Sequence, residues 1–129
     1  MGAARRLHLE LQRIYDEPAT AGGYRVLIDR LWPWGISRDR AALDEWAKDV
    51  APSPELRAWF AHEPARFAAF ARRYRAELAA PPAAETVDRL LVLARRRRVT
   101  LLTANRDLER SNAGVLFAHM TGSWASAAR

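Results

Sequence analysis

Residues 24–31, YRVLIDRL, place three consecutive aliphatic side chains between the Gly22–Gly23 pair and the sequence WPWG at 32–35. An apolar run of this length, bounded by turn residues, is typical of a buried strand. The run VTLL at 99–102 predicts another buried strand in the same way. Over residues 7–12, three leucines alternate with polar residues, and this pattern predicts a half-buried strand.

Apolar stripes at helical spacing predict the helices of the chain. Two of these helices have start signals: Ser53-Pro54 offers a capping oxygen followed by proline at the first helical position, and Pro64 opens the next helix. The last helix has Ser111 as its predicted cap. The stripes are Leu43, Trp46, Ala47 and Val50 (a helix over about 39–50); Leu56, Trp59 and Phe60; Phe67, Phe70, Ala71, Tyr74 and Leu78; Val87, Leu90, Leu91 and Ala94; and Ala113, Leu116, Phe117 and Met120.

The order of these elements predicts the fold class. Strands joined by a helical crossover are usually parallel, so the strands at 24–31 and 99–102 are expected to be parallel neighbours. The link after the first strand, about eight residues, is shorter than a usual parallel crossover and leaves that strand's place open. We predict an α/β fold: a small, mainly parallel sheet of about three or four strands packed with four to five helices, in Rossmann-like layering.

Length and composition bound the possible functions. The 129 residues are expected to form one α/β domain over 1–129, with a core at about 7–120 and a less ordered tail at 121–129. The absence of cysteine excludes a disulfide framework, a thiolate nucleophile and cysteine-based zinc sites. No apolar stretch approaches the roughly 18 residues of a membrane span, and residues 1–12 lack a secretory signal pattern. We therefore expect a cytoplasmic protein without a membrane partner.

The net charge of +6 is concentrated in the second half of the chain. Residues 1–64 carry 9 basic and 10 acidic side chains, whereas residues 65–129 carry 12 and 5. Such asymmetry permits a nucleic-acid-binding face. The densest run, Arg95 to Arg98, falls where a helix is expected to end, and cations there suit the negative end of the helix dipole. A solvated helix end is the preferred interpretation, and nucleic-acid binding is the weaker alternative.

Ligands of open α/β sheets bind beyond the carboxyl ends of the parallel strands. Two segments, 29–35 and 103–107, occupy that edge, and the second leads to Ser111-Asn112 at the start of the last helix. A helix N-terminus favours an anion because its N–H groups are free and carry about half a positive charge. Arg25 or Arg30 adds a guanidinium that grips phosphate or carboxylate. We therefore expect a site for a small anionic ligand, used for binding or for catalysis.

The candidate residues form two sets, and no reaction or oligomeric state is assigned. The ligand-binding candidates are Arg25, Asp29, Arg30, Trp32, Gly35, Asn105 and Asn112. The candidates for acid–base or charge-stabilising work are Asp29, Arg30 and Lys48. Each has a structural alternative. Asp29 and Arg30 can form an ion pair or cap a loop, Lys48 can pair with Asp44 on a helix surface, and the stretch 105–112 can be an ordinary polar loop.

The tryptophans are expected to be mainly structural. Trp46 and Trp59 lie on apolar stripes, which predicts that both are core residues. Trp32 and Trp34 lie in a loop, where an aromatic side chain can stack on a ligand ring. For these two residues, a buried hydrophobic plug is the preferred interpretation.

Neither a metal nor a cofactor is expected. His8, His62 and His119 are scattered among unlike elements and have no ligand spacing. The chain has no glycine-rich phosphate loop and no dinucleotide fingerprint. It also lacks the G-x-S-x-G elbow of a serine nucleophile.

Residues 13–35, RIYDEPATAGGYRVLIDRLWPWG, resemble the domain-of-unknown-function 488 family in its short, YeaO-like branch. That branch opens with R-[VI]-Y-[DE] and continues with G-[YF]-R-[VI]-L-[VI]-D-R-[LV]-W-P-R-G. The resemblance continues through LDEWAKD at 43–49 and APSPELR at 51–57, and it covers about residues 9–120. It implies a small, bacterial, cytoplasmic α/β domain and brings no agreed activity.

The resemblance also marks positions and departures. The motif positions are Tyr15, Asp16, Arg25, Asp29, Arg30, Trp32, Pro33, Gly35, Trp46, Lys48, Ser53, Arg57 and Asn112. Trp34 stands where the family has an arginine, which removes an anion contact, and Thr103 stands where the family has an aromatic residue. Three hypotheses follow in order of preference: a small-anion site, a nucleic-acid-binding or regulatory module using the basic second half, and a protein-interaction module.

Overall fold

A four-stranded parallel sheet forms the centre of the protein. The computed structural model describes residues 7–16 and 23–122. The strands are β1 (Leu9–Arg13), β2 (Tyr24–Leu27), β3 (Glu45–Trp46) and β4 (Val99–Thr103), in the order β1-β4-β2-β3. All neighbouring pairs are parallel, so the predicted α/β class with a small parallel sheet is confirmed. Residue 22 of the predicted turn and residues 123–129 of the predicted tail lie outside the described residues.

Five α-helices accompany the strands within the described residues. They are α1 (Arg38–Ala41), α2 (Pro54–Phe60), α3 (Phe67–Leu78), α4 (Ala83–Ala94) and α5 (Asn112–Thr121), with short 3-10 turns at Lys48–Val50 and Pro64–Arg66. The predicted start of α2 is confirmed, because Ser53 Oγ accepts a hydrogen bond from Leu56 N at 3.1 Å. The Glu77 carboxylate of α3 accepts from Ser53 N and Oγ at 2.8 and 2.6 Å, which fixes α2 against α3.

Strand β4 lies between β1 and β2, and all five of its residues are buried. Residues 9–13 pair with 99–103 on one side, and residues 24–27 pair with 99–102 on the other. The prediction that the second and third strands are parallel neighbours is confirmed, and β1 takes the opposite side of β4. The carboxyl ends of β1, β2 and β4 therefore share one edge of the sheet.

The two faces of the sheet bury different partners. Val26 and Leu101 point into the main core, which apolar residues of α2, α3, α4 and α5 complete. Leu27 and Leu102 point to the opposite face, where they form a smaller cluster that includes Ala41 of α1. The alternation follows from the two-residue period of a strand.

The predicted helix over 39–50 is wrong. Ala42 ends α1 with a left-handed backbone, φ 48°, which an α-helix cannot continue. Residues 45–46 then pair with residues 26–27 as the edge strand β3. The apolar stripe is nevertheless buried in part, because Val50 enters the main core from the 3-10 turn that follows β3.

Candidate functional site

A cavity of about 460 Å³ lies at the carboxyl edge of β2 and β4. Strand β2 ends at Leu27, earlier than the predicted end at Leu31, so the next residues turn across this edge. Most of the lining comes from the edge segments 29–34, 104–106 and 111–112, together with Arg57, Phe60 and His62 from the end of α2 and just beyond it. The structure thus brings together the two segments that the sequence predicts to converge.

Three donors hold the Asp29 carboxylate. The Thr103 hydroxyl donates to Oδ1 at 2.9 Å, the Ala104 amide donates to Oδ2 at 2.8 Å, and Asn112 Nδ2 donates to Oδ1 at 3.3 Å. These bonds tie the end of β2 to the end of β4 and to the start of α5. Within the described residues, Asp29 forms no ion pair with the adjacent Arg30, so of the two structural alternatives the loop cap is the one observed.

The Thr103 hydroxyl is the centre of this network. It donates to Asp29 and accepts from Asn105 N at 3.1 Å and Asn105 Nδ2 at 2.7 Å. A hydroxyl has one proton and two lone pairs, so all three are used. The side-chain Nδ2 of Asn105 also donates to Asn112 Oδ1 at 2.8 Å. We call Asp29, Thr103, Asn105 and Asn112 the saturated wall.

Burial raises the pKa of Asp29 above its ordinary value. The hydrogen bonds from Ala104, Thr103 and Asn112 favour the charged carboxylate and oppose the rise, as does the positive charge of Arg57. The upward direction of the pKa means that loss of solvation outweighs these contacts. Asp29 is therefore a carboxyl group that binds its proton more tightly than an exposed aspartate does.

A second part of the cavity lining contains polar atoms that make no hydrogen bond in the described chain. Arg30 Nε and Ser111 Oγ are both buried and have no hydrogen-bond partner within the described residues. The Arg30 guanidinium donates from Nη2 to the Pro52 carbonyl at 3.2 Å. Ser111 is 4% exposed and occupies the cap position of α5, but its hydroxyl does not cap the helix, so the predicted capping role is wrong. Unpaired buried polar atoms are uncommon in folded proteins.

The charges of the lining favour an anion. Three arginines, Arg30, Arg57 and Arg106, face a single carboxylate, Asp29. The N-terminus of α5 begins beside Ser111 and adds the positive end of a helix dipole. An anion that enters the cavity therefore meets a net positive potential.

The two tryptophans of the loop have opposite environments. Trp32 is partly buried: its Nε1 donates to the Ile36 carbonyl at 2.6 Å, and its ring meets the Trp46 ring edge-on at 5.4 Å. Trp34 is 89% exposed, so the expected buried plug is wrong for this residue. Trp46 and Trp59, predicted as core residues, are partly buried and pack against the smaller and the main apolar cluster. Arg30 and Ser111, which each have a buried atom without a partner in the described chain, and the exposed Trp34 all line the cavity. We call these three residues the open wall.

Comparison with known proteins identifies the family. The family model described as the inactive DUF488-N3 subclade matches residues 8–128. The chain belongs to the DUF488 family. An uncharacterised protein of Mycobacterium tuberculosis is 42% identical over 118 residues, which are 92% of this chain and 98% of that protein. The uncharacterised protein YeaO of Escherichia coli is 39% identical over 110 residues, 85% and 94% of the two chains. No solved structure matches.

Two departures from the DUF488 pattern fall at this site. Thr103, in place of an aromatic residue, supplies the hydroxyl that holds Asp29. Trp34, in place of an arginine, is an exposed residue of the cavity lining. The substitutions therefore change the chemistry of both walls.

The structure brings together most of the predicted ligand-binding residues. Those that line the cavity are Asp29, Arg30, Trp32, Asn105 and Asn112. Arg25 lies elsewhere, and its guanidinium donates to the Ala41 carbonyl at 2.9 and 3.2 Å. Gly35 forms the turn of the loop with φ 76° and is not part of the lining. Lys48 lies outside the cavity with its ammonium 4.1 Å from the centre of the Trp46 ring, and no helix places it beside Asp44.

Some positions at the cavity lie outside the two sets of candidate residues. Thr103 and Arg106 fall inside the predicted edge segment, and a polar residue at the end of an apolar strand was the available signal for Thr103. His62 follows α2 with a left-handed backbone, φ 57°, and lines the cavity. Nothing in the sequence places His62 there, because its position depends on how α2 packs.

Neither a metal site nor a membrane-spanning helix is found in the described part of the chain. His8, His62 and His119 lie on separate elements, and the described residues contain no group of three His, Cys, Asp or Glu that could hold a metal ion. Burial lowers the pKa of His119, and the positive charge of Arg75 acts in the same direction. None of the described helices has the length and apolarity needed to cross a membrane.

Proposed function

We propose that this DUF488 protein binds a small phosphate- or carboxylate-bearing molecule at the carboxyl edge of its sheet, without converting it. The observation that carries the proposal is the pair of buried, unpartnered atoms, Arg30 Nε and Ser111 Oγ, among residues that line one positively charged cavity. Burial without a partner costs the hydrogen bonds that water would make. An anion restores them, because a guanidinium and a hydroxyl both donate to phosphate or carboxylate oxygens.

Binding without turnover is supported by the saturated wall. Three donors already occupy the Asp29 oxygens, and the only proton of the Thr103 hydroxyl is donated to Asp29. A general base must reach a substrate proton with a lone pair, and Asp29 has few to offer. Lys48, the other acid–base candidate, lies outside the lining. The description of the matching subclade as inactive agrees with this assignment.

The nucleic-acid alternative has less support. The run Arg95 to Arg98 directly follows the end of α4, as expected for a solvated helix end, and is not part of the cavity lining. Arg98 forms an ion pair with Glu10 at 3.6 Å, and Arg97 lies over the ring of Tyr24 at 5.6 Å. We therefore propose the small-anion function. We also propose that the protein acts in the cytoplasm.

A thermal-shift panel tests the proposed function. Inorganic phosphate, sulfate, sugar phosphates, nucleotides, carboxylates and short oligonucleotides are added at low and at physiological salt. A bound ligand at about 100 times its Kd stabilises by about 2.7 kcal/mol, which raises Tm by roughly 3–8 °C for a domain of this size. We expect a salt-resistant rise from at least one small anion, and recovery of that anion chemically unchanged.

Two variants locate the response. Arg30→Ala removes the guanidinium whose Nε has no partner in the described chain and should abolish the rise in Tm. Arg72→Ala removes the same charge from an exposed position of α3 outside the lining and should leave the rise intact. An unchanged response in Arg30→Ala would contradict the placement. Shifts from oligonucleotides alone that fade at physiological salt would support nucleic-acid binding instead.

A further inference from the structure

Most of the large exposed hydrophobic residues in the described part of the chain lie at the cavity. Four large hydrophobic side chains are exposed within the described residues, and three of them, Tyr15, Leu31 and Trp34, line the cavity. Their exposed fractions are 36%, 58% and 89%. Single exposed apolar residues are ordinary, but a group beside one cavity marks a binding surface.

The loop that carries Trp34 is held on both sides, so the exposure of the ring does not come from a loose backbone. The Trp34 carbonyl accepts a hydrogen bond from the Tyr15 hydroxyl at 2.8 Å. Two residues earlier, Trp32 is anchored through its bond to the Ile36 carbonyl and its contact with Trp46. The indole of Trp34 is thus presented to solvent by a fixed loop.

The other tryptophans of the described chain have partners for their rings. Arg38 lies 5.0 Å over Trp32, Lys48 lies 4.1 Å over Trp46, and Arg73 lies 4.2 Å over Trp59. Among the described residues, Trp34 is the tryptophan that has neither a cationic nor an aromatic neighbour of this kind. Its faces are available to a planar group.

We infer that the ligand of the proposed site carries a flat aromatic ring next to its anionic group, with the ring stacked on the Trp34 indole and the anion at Arg30 and Ser111. This inference rests on the proposed function and names the ligand class within it. An anion alone satisfies the buried donors but leaves the exposed side chains of Tyr15, Leu31 and Trp34 in water. An aromatic anion would satisfy the donors and also cover these side chains. Offset stacking is the geometry that two aromatic rings prefer.

Matched pairs of probes test the ring separately from the charge. Phenyl phosphate is compared with methyl phosphate, and benzoate with acetate, by calorimetric titration of the full chain. The members of each pair share the anionic group and differ in the ring. We expect the aromatic member of the better-bound pair to bind roughly two- to tenfold more tightly, the range that one aromatic contact supplies.

Three variants decide between the outcomes. Trp34→Ala should reduce the affinity for the aromatic probe to that of its ring-free partner, while Trp34→Phe should keep most of the advantage. Arg30→Gln should weaken both members of the pair. Equal affinities within each pair, or an equal loss of both members in Trp34→Ala, would overturn the aromatic class and leave the anion site standing. If none of the four probes binds at millimolar concentration, both this inference and the proposed function fail.

Discussion

The saturated wall and the open wall lie at one cavity, and their polar atoms differ in whether they have partners within the protein. Thr103 lies behind the lining and bonds to three of its groups through Asp29 and Asn105. In the saturated wall, the Thr103 hydroxyl uses its proton and both lone pairs within the protein. In the open wall, Arg30 Nε and Ser111 Oγ are buried and have no partner in the described chain. A buried polar atom without a partner costs free energy in the folded protein, so these two atoms do not stabilise the fold through hydrogen bonds of their own.

The two walls are expected to affect different quantities: the saturated wall the free energy of unfolding, and the open wall the affinity for a ligand. A bond inside the saturated wall is made in the folded protein with or without a ligand, so its loss lowers the free energy of unfolding. A donor in the open wall has already lost its water on folding and, under the proposed function, recovers a partner when an anion binds. Substitutions in the first wall should therefore destabilise, and substitutions in the second should mainly weaken binding.

The largest expected effect follows removal of the central hydroxyl. Thr103→Val keeps the shape of the side chain, but Asp29 loses a donor and Asn105 loses an acceptor. A buried polar group left without its partner costs about 1–3 kcal/mol, so we expect the free energy of unfolding to fall by about 2 kcal/mol in denaturant titration. The control is Thr100→Val, the same change earlier in β4, where no bond to Asp29 is made. Equal losses in both variants would show that the wall adds nothing to stability.

Most of the fold could be predicted because its helices bury continuous stripes. Most periodic residues of α3 and α4 are buried, with Phe67 and Leu91 partly buried, and Ser53-Pro54 marks the start of α2. Strand β3 could not be predicted, because two residues carry no periodicity and their partners lie far away in β2. The left-handed backbone of Ala42 has no signal either, since that conformation favours glycine.

The meeting of the two edge segments at one cavity could be predicted, but the division of its polar residues into two walls could not. Parallel strands end at the same edge of a sheet, so the segments after β2 and β4 had to meet. Whether Asp29 would pair with Arg30 or with the amide and hydroxyl groups across the edge depends on how β2, β4 and α5 come together, and the partners lie more than 70 residues away in sequence. The backbone of the Trp34 loop is held by a bond from Tyr15, which lies on a different part of the chain and gives no local signal.

Two serines at helix cap positions test the contrast between a hydroxyl that is bonded within the protein and one that is not, with a smaller expected effect on stability. Ser53 and Ser111 both occupy helix cap positions, but only Ser53 uses its hydroxyl, on Leu56 N and on Glu77. Ser53→Ala should lower the free energy of unfolding by about 1–2 kcal/mol, the usual loss of a helix cap. Ser111→Ala should change it by less than about 0.5 kcal/mol, since no bond is lost. The same variant should reduce the rise in Tm produced by a bound anion. A full capping loss in Ser111→Ala would show that this hydroxyl is paired and would remove it from the open wall.

The smallest effect is the pH dependence that the saturated wall imposes through Asp29. Burial raises the pKa of this carboxyl in the folded protein, so between its ordinary and its raised pKa the folded state binds more protons than the unfolded state does. The stability contributed by Asp29 therefore increases as the pH falls through that window and is lost as the pH rises through it. Asp29→Asn cannot take up this proton, so the unfolding free energy of the wild type minus that of this variant should increase as the pH falls through the window and stay constant above the raised pKa. If this difference decreases on acidification instead, the three donors outweigh desolvation and the folded protein favours the charged carboxylate of Asp29.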